Sequence, residues 1–180
     1  MQPLLTSASH RVQRLLRADE AILRRVRGWE LPGLTRLMRT LTRLGDASSW
    51  VLLGGVLLAS GGPAFRHGEL LASGALLATA LAQLLKRTCR RPRPTSGIRG
   101  FTALAENPDT FSFPSGHTAV AFGVATALAG QGTALGMVMA VTAFGVGISR
   151  VYLGAHYPLD VGVGALLGGI AGVMARFLVL

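Results

Sequence analysis

Between Ser149 and Asp160 the chain places an arginine, a histidine and an aspartate at the junction of two strongly apolar segments, 133–148 and 161–180. Ionisable groups at the edge of a hydrophobic span are costly unless paired, so their presence points to function. Pro158 suits the first turn of a helix, where its missing N–H is no loss. This predicts His156 at a helix mouth and Asp160 one turn in, on the same side. A carboxylate so placed can hold the imidazole in one tautomer, and the free N–H groups of the helix start favour an anion beside it. Two further clusters border apolar segments: Lys86 with Arg93-Pro94, and Pro114-Ser115-Gly116-His117. The three together offer at least three fixed cations, two histidines, a hydroxyl and a carboxylate. Tetrahedral phosphate suits such a set, because cations and helix-mouth N–H groups can neutralise its equatorial oxygens. Two histidines on opposite sides of phosphorus permit in-line displacement, one attacking while the other protonates the leaving oxygen.

The elements that must position these groups are apolar. Of 180 residues 50% are hydrophobic and 14% charged, where a soluble domain carries about 25% charged residues. A membrane protein is the class implied. The 24 glycines fall largely inside apolar runs, as in membrane helices that approach closely. The formal net charge of +10 is almost entirely arginine, since Lys86 is the only lysine. In an apolar chain this charge suits anionic lipid headgroups or a phosphate-bearing substrate; nucleic acid is not expected as a partner. The single cysteine, Cys89, excludes an intramolecular disulfide framework and a multi-cysteine metal site. No cleavable signal peptide is expected, because the first long segment is basic and amphipathic.

The spacing predicts an all-α integral membrane bundle of about five short transmembrane helices. They are expected at about 50–60, 70–85, 118–129, 133–148 and 161–180, with His67 and Glu69 marking a turn before the second. An N-terminal arm, residues 1–46, precedes them. It sets Val12, Leu15, Leu16, Ile22, Leu23 and Val26, and then Leu34, Leu37, Met38, Leu41 and Leu44, against arginines at helical spacing. Neither stretch has the roughly 20 apolar residues of a span, so the arm is expected to lie in the membrane interface; a helical hairpin packed on the bundle is the alternative. Arginine accumulates in the arm and in the 87–116 and 149–160 connections. The positive-inside rule therefore places these segments, and the three clusters with them, in the cytoplasm of a multi-pass inner (plasma) membrane protein. Gly164, Gly168 and Gly172 make a close-packing stripe, which serves contacts within one chain or in a homo-oligomer equally well.

The three clusters closely resemble the signature of the type 2 phosphatidic acid phosphatase superfamily: Lys-x6-Arg-Pro, then Pro-Ser-Gly-His, then Ser-Arg-x5-His-x3-Asp. Lys86, Arg93 and Pro94 match the first, Pro114 to His117 the second, and Ser149, Arg150, His156 and Asp160 the third. The resemblance covers about residues 48–178 and makes 47–180 a membrane phosphatase domain, leaving the basic arm aside. It implies that His156 is the nucleophile that becomes a phosphohistidine, that Asp160 orients it, and that His117 is the general acid. Lys86, Arg93, Ser115, Gly116 (through its N–H) and Arg150 are the implied phosphate cradle, and no metal or other cofactor is implied. The expected activity is hydrolysis of a lipid phosphate: a polyprenyl-linked sugar phosphate, phosphatidylglycerol phosphate or phosphatidic acid. Two alternatives are a polyprenyl diphosphate phosphatase with an outward-facing site and a non-catalytic lipid-phosphate-binding protein. Arg87, Arg90, Arg91 and Arg99 are expected to serve headgroups or topology, and Glu106 and Asp109 to be solvated loop charges.

Overall fold

A computed structural model describes residues 2–105 and 109–179, with side chains from residue 10 onward; Glu106 lies outside them. The described chain folds into α1 (Gln2–Arg27), α2 (Pro32–Leu44), α3 (Ala47–Ser60), α4 (Gly62–Cys89), the single turn α5 (Pro94–Gly97), α6 (Gly116–Ala129), α7 (Ala134–Tyr152) and α8 (Pro158–Val179). Three of these, α4, α7 and α8, are long and apolar enough to cross a membrane, while α3 and α6 are apolar but have 14 residues each. At 1.5 Å per residue those two reach about 21 Å, short of a hydrocarbon core of about 30 Å.

The all-α membrane bundle is as expected, with two local corrections. His67 and Glu69 are helical: α4 begins at Gly62 and runs for 28 residues. Gly61 makes the turn before it and Gly62 opens the helix, both at positive φ (66° and 55°), where glycine alone is unstrained, and Pro63 follows in the first turn. Ser149 and Arg150 are likewise not in a loop but in the last turn of α7.

Helix α6 is the centre of the bundle. Ala119, Ala121, Val124, Ala127 and Leu128 are all fully buried, and α4, α7 and α8 pack around it. Glycine sets the separations. A Cβ added at Gly74 of α4 would stand 2.9 Å from the Gly123 carbonyl oxygen, and one at Gly168 of α8 would stand 2.3 Å from that of Ala119. The stripe Gly164, Gly168 and Gly172 is thus spent within the chain, against α6. Without a hydrophobic drive in lipid, such close backbone contact is what holds helices together.

The arm docks on the end of the bundle where α3, α6 and α8 begin and α4 and α7 finish. Helix α2 lies along α7. Tyr152 of α7 binds it through a hydroxyl 3.0 Å from Thr35 Oγ1 that also accepts the Leu31 N–H at 3.2 Å. The apolar stripe of α1 divides. Leu23 is fully buried with Ile98 and Tyr157, while Val12, Leu15 and Leu16 remain exposed beside Arg11, Arg14 and Arg17.

Candidate active site

Four elements bring the three sequence clusters to that same end. The last turn of α4 carries Lys86, and the connection that follows carries Arg93. This connection folds back on itself, with Pro92 bridged to Phe111 and the Ser112 N–H donating to the Arg91 carbonyl at 2.8 Å. Helix α6 opens on Gly116 and His117. The tight link from α7 to α8 presents His156, because Ala155 N–H and His156 N–H both donate to the Arg150 carbonyl at 3.0 and 3.2 Å. Gly154, at φ 72°, makes that turn possible against the Phe101 ring.

Lys86, Arg93, Gly116, His117, Arg150 and His156 line one cavity of about 400 Å³. Its other end is apolar, walled by Trp50 and Val51 of α3, Ala75 and Leu76 of α4, and Val120 of α6. Val51 and Leu76 are 74% and 71% exposed, so this end reaches the lipid-facing surface of the bundle. Two of the expected site residues stand behind the wall. Asp160 is fully buried beneath His156, and Ser115 is fully buried with its Oγ accepting from the Thr118 hydroxyl at 2.9 Å.

The His156 ring is held from both sides. Its Nε2 lies 3.3 Å from Arg93 Nη1, and its Nδ1 lies 3.6 Å from Asp160 Oδ2. A guanidinium has donors and no acceptor, so Nε2 must be the lone pair and Nδ1 the protonated nitrogen. Burial, opposed by Asp160 and reinforced by the Arg150 and Arg93 charges, holds the imidazole down at about 4. His156 is therefore neutral at physiological pH, with its Nε2 lone pair facing Arg93 at the cationic end of the cavity.

The PAP2 superfamily pattern matches residues 69–179, which contain all three clusters. The chain belongs to the PAP2 superfamily. A decaprenylphosphoryl-5-phosphoribose phosphatase of Mycobacterium tuberculosis is 37% identical over 151 residues, covering 79% of each chain. Among solved structures, LpxE of Aquifex aeolicus superimposes with a TM-score of 0.75 at 31% identity, over 86% of this chain and 92% of that one. A PAP2-type phosphatidylglycerolphosphate phosphatase of Bacillus subtilis gives 0.71 at 30% identity, over 98% and 89%. This PAP2 protein is a multi-pass membrane enzyme, a lipid phosphate phosphatase.

Several residues at this PAP2 site were not expected from the sequence. Asp109 is no mere solvated charge. Its carboxylate lies 2.5 Å from Lys86 Nζ and 3.6 Å from Arg93 Nη2. Burial opposes its ionised form, but the Lys86 hydrogen bond and the Lys86 and Arg93 charges outweigh that and hold the carboxyl below its ordinary value. Asp46, between α2 and α3, accepts from or pairs with His117 Nε2 at 2.9 Å. Thr42 of α2 accepts from Arg150 Nη1 at 2.7 Å. Arg91, expected to serve headgroups or topology, donates to Asp160 Oδ1 at 2.8 Å. Its neighbours in sequence, Arg87 and Arg90, are exposed. Among the described residues no group of three or more His, Cys, Asp and Glu side chains could hold a metal.

Proposed function

We propose that this PAP2 phosphatase removes the phosphate monoester from a polyprenyl-linked sugar phosphate through a phosphohistidine on His156. The observation that carries the reading is the two-ended cavity, with both histidines and three cations at one end and an apolar wall reaching the lipid surface at the other. A volume of about 400 Å³ suits a phosphorylated sugar, while a single long chain leaves past Val51 and Leu76. The 37% identity to a decaprenylphosphoryl-5-phosphoribose phosphatase supports this substrate over the two-chain glycerolipid phosphates.

In the proposed cycle the phosphate displaces Asp109 from Lys86 and Arg93 and takes Arg150 as its third cation. The Gly116 N–H, at the start of α6, donates to a further oxygen. Ser115 supports this helix mouth from beneath. As phosphate draws Arg93 away from Nε2, that lone pair attacks phosphorus and the Nδ1 proton closes on Asp160; such contacts tighten in the substrate complex. The P–O bond to the sugar oxygen breaks, and that leaving oxygen takes a proton from His117. Water then attacks the phosphohistidine, giving its proton back to His117, and inorganic phosphate leaves with His156 restored. Nucleophile, acid and cradle are all side-chain or backbone groups, so the cycle is written without a metal or cofactor.

The same reading places the site on the cytoplasmic side of the inner membrane. Exposed Val12, Leu15 and Leu16 interleaved with Arg11, Arg14 and Arg17 support an α1 whose N-terminal half lies among anionic lipid headgroups. The test is a panel of polyprenyl and glycerolipid phosphates on purified enzyme. Phosphate release is expected from the polyprenyl sugar phosphate and absent in His156→Ala; normal turnover by that variant would sink the mechanism. A preference for phosphatidic acid would sink the substrate assignment.

A further inference from the structure

Helix α1 lies outside the matched family pattern, yet it holds one buried charge whose partners lead to the nucleophile. Asp19 is 3% exposed, whereas Arg11, Arg14, Arg17, Arg24 and Arg25 on the same helix are exposed. A buried carboxylate is costly unless fully partnered, and Asp19 is. Its Oδ1 accepts the Leu159 N–H at 2.8 Å, and its Oδ2 accepts from Arg91 Nη2 at 2.7 Å. The other terminal nitrogen of Arg91 donates to Asp160 Oδ1 at 2.8 Å. The guanidinium plane rests 3.8 Å from the centre of the Tyr157 ring. Asp160 is left with Oδ2, which accepts the Tyr157 N–H at 2.9 Å and faces His156 Nδ1.

We infer that Asp19 and Arg91 are positioning residues of the hydrolysis reaction, so that the N-terminal arm completes the apparatus holding the His156 nucleophile. This rests on the phosphohistidine reading above. Two fixings follow from one carboxylate. Through Arg91, α1 restrains the rotation of the Asp160 carboxyl, because Asp19 fixes the guanidinium whose other terminal nitrogen donates to Asp160 Oδ1. Through the Leu159 N–H, α1 caps the first turn of α8, the turn that carries Asp160. Docking of the arm would need neither feature, since Leu23 already provides a buried apolar contact with Ile98 and Tyr157. A docking ion pair would also have no reason to share its arginine with the aspartate behind the nucleophile.

Asp19 also balances charge. Arg91 alone against Asp160 would weaken the field that Asp160 exerts on His156; Asp19 offsets that cation. The other charged groups facing His156 are Arg150 of α7 and Arg93 and Asp109 of the connection after α4, with Lys86 of α4 and His117 of α6 in the same cavity. None of these touches Asp19 or Arg91 in a described hydrogen bond or ion pair, so the pair can be perturbed by itself.

The experiment uses full-length enzyme with Asp19→Asn, Arg91→Met, Arg91→Lys and the double variant D19N/R91M. His156→Ala is assayed in parallel, and Glu20→Gln serves as the arm control because the ion pair described for Glu20 is with Arg24 on the same helix. Asp19→Asn and Arg91→Met are expected to lower kcat by about 10- to 100-fold, the cost of misplacing a reacting group, with KM changed less than about threefold. The acid limb of kcat/KM should move down in Asp19→Asn, which loses a negative charge, and up in Arg91→Met, which loses a positive one. Arg91→Lys should restore the limb but not full kcat, since it keeps the charge and loses the fork. The double variant removes both buried charges together and keeps the test alive if either single variant fails to fold; wild-type kcat in it overturns the proposal. So does a limb that stays at its wild-type position in both single variants while thermal stability alone falls. Turnover by His156→Ala would instead overturn the phosphohistidine reading, whatever the pair does.

Discussion

Replacing Gly168 by alanine tests how the bundle sets the distance between the two histidine-bearing helix mouths. A Cβ at Gly168 would stand 2.3 Å from the Ala119 carbonyl oxygen, 2.8 Å from the Gly123 nitrogen and 2.8 Å from Phe122 Cβ, where ordinary contact begins at 3.4 Å. Two of these obstacles are backbone atoms that cannot rotate away, so α8 must back off from α6 by about 1 Å. Overpacking of this kind costs about 1–3 kcal/mol, a loss of about 2–12 °C in Tm for a chain of this size. Gly168 lies two turns along from Asp160, and a rigid helix carries the displacement to it. A 1 Å misplacement of catalytic groups costs about 100-fold in rate. Lys86 and Arg150 sit on α4 and α7, so kcat should fall while KM changes little. The assay is phosphate release in mixed micelles beside thermal unfolding, with Gly162→Ala and Gly169→Ala as controls. Neither control position has anything within 4 Å of an added Cβ, and both variants should behave as wild type. A Gly168→Ala enzyme with wild-type kcat and Tm, or a Gly169→Ala enzyme equally damaged, refutes the reasoning.

Three further outcomes follow from the site. The His156 imidazole is held at about 4 against an ordinary 6.5, so on acidification the unfolded chain takes up the proton first. Stability is complete above about pH 6.5 and declines between 6.5 and 4, by about 3 kcal/mol; His156→Asn should flatten that part of a denaturation-versus-pH curve. Asp46→Asn leaves His117 in place without the carboxylate 2.9 Å away, and should lower kcat towards the about 100-fold that a general acid contributes, with KM steady. Tyr152→Phe strips the arm of its tie to Thr35 and the Leu31 N–H, at a cost of about 1–3 kcal/mol. Limited trypsin should then cut after Arg27 faster than in wild type.

Much of the fold could be read from apolar run length and from glycine and proline positions. Pro158 opens α8, Gly130-Gln131-Gly132 separates α6 from α7, and the five apolar runs are the five apolar helices. His67 and Glu69 misled because polar residues near a Gly-Gly-Pro resemble a turn. The turn needs only the two glycines at positive φ, and the helix resumes with its polar residues on board. In the same way a run of hydropathy ends at Ile148, but nothing in Ser149 or Arg150 stops a helix. α7 therefore continues to Tyr152 and delivers Arg150 to the cavity from a rigid turn.

The site divides along a similar line. The residues that line the cationic end of the cavity sit at fixed spacings inside three short motifs, so His156, His117, Lys86, Arg93 and Arg150 are visible together. Residues outside the motifs that steady them carry no local signal, because their partners lie far along the chain. Asp46 meets His117 across 71 positions and Asp19 meets Arg91 across 72. In a helix with six arginines, one aspartate reads as surface charge, and Arg91 reads as one more topology residue among Arg87, Arg90 and Arg99. Burial separates them. Asp19 is enclosed while the arginines around it are exposed, and an enclosed charge must have a reason. The partners of Asp19 are the Leu159 N–H in the first turn of α8 and an arginine shared with Asp160. The basic arm thus has two faces with different physics: an outer one suited to lipid headgroups, and an inner one that reaches, through Arg91, the carboxylate behind His156.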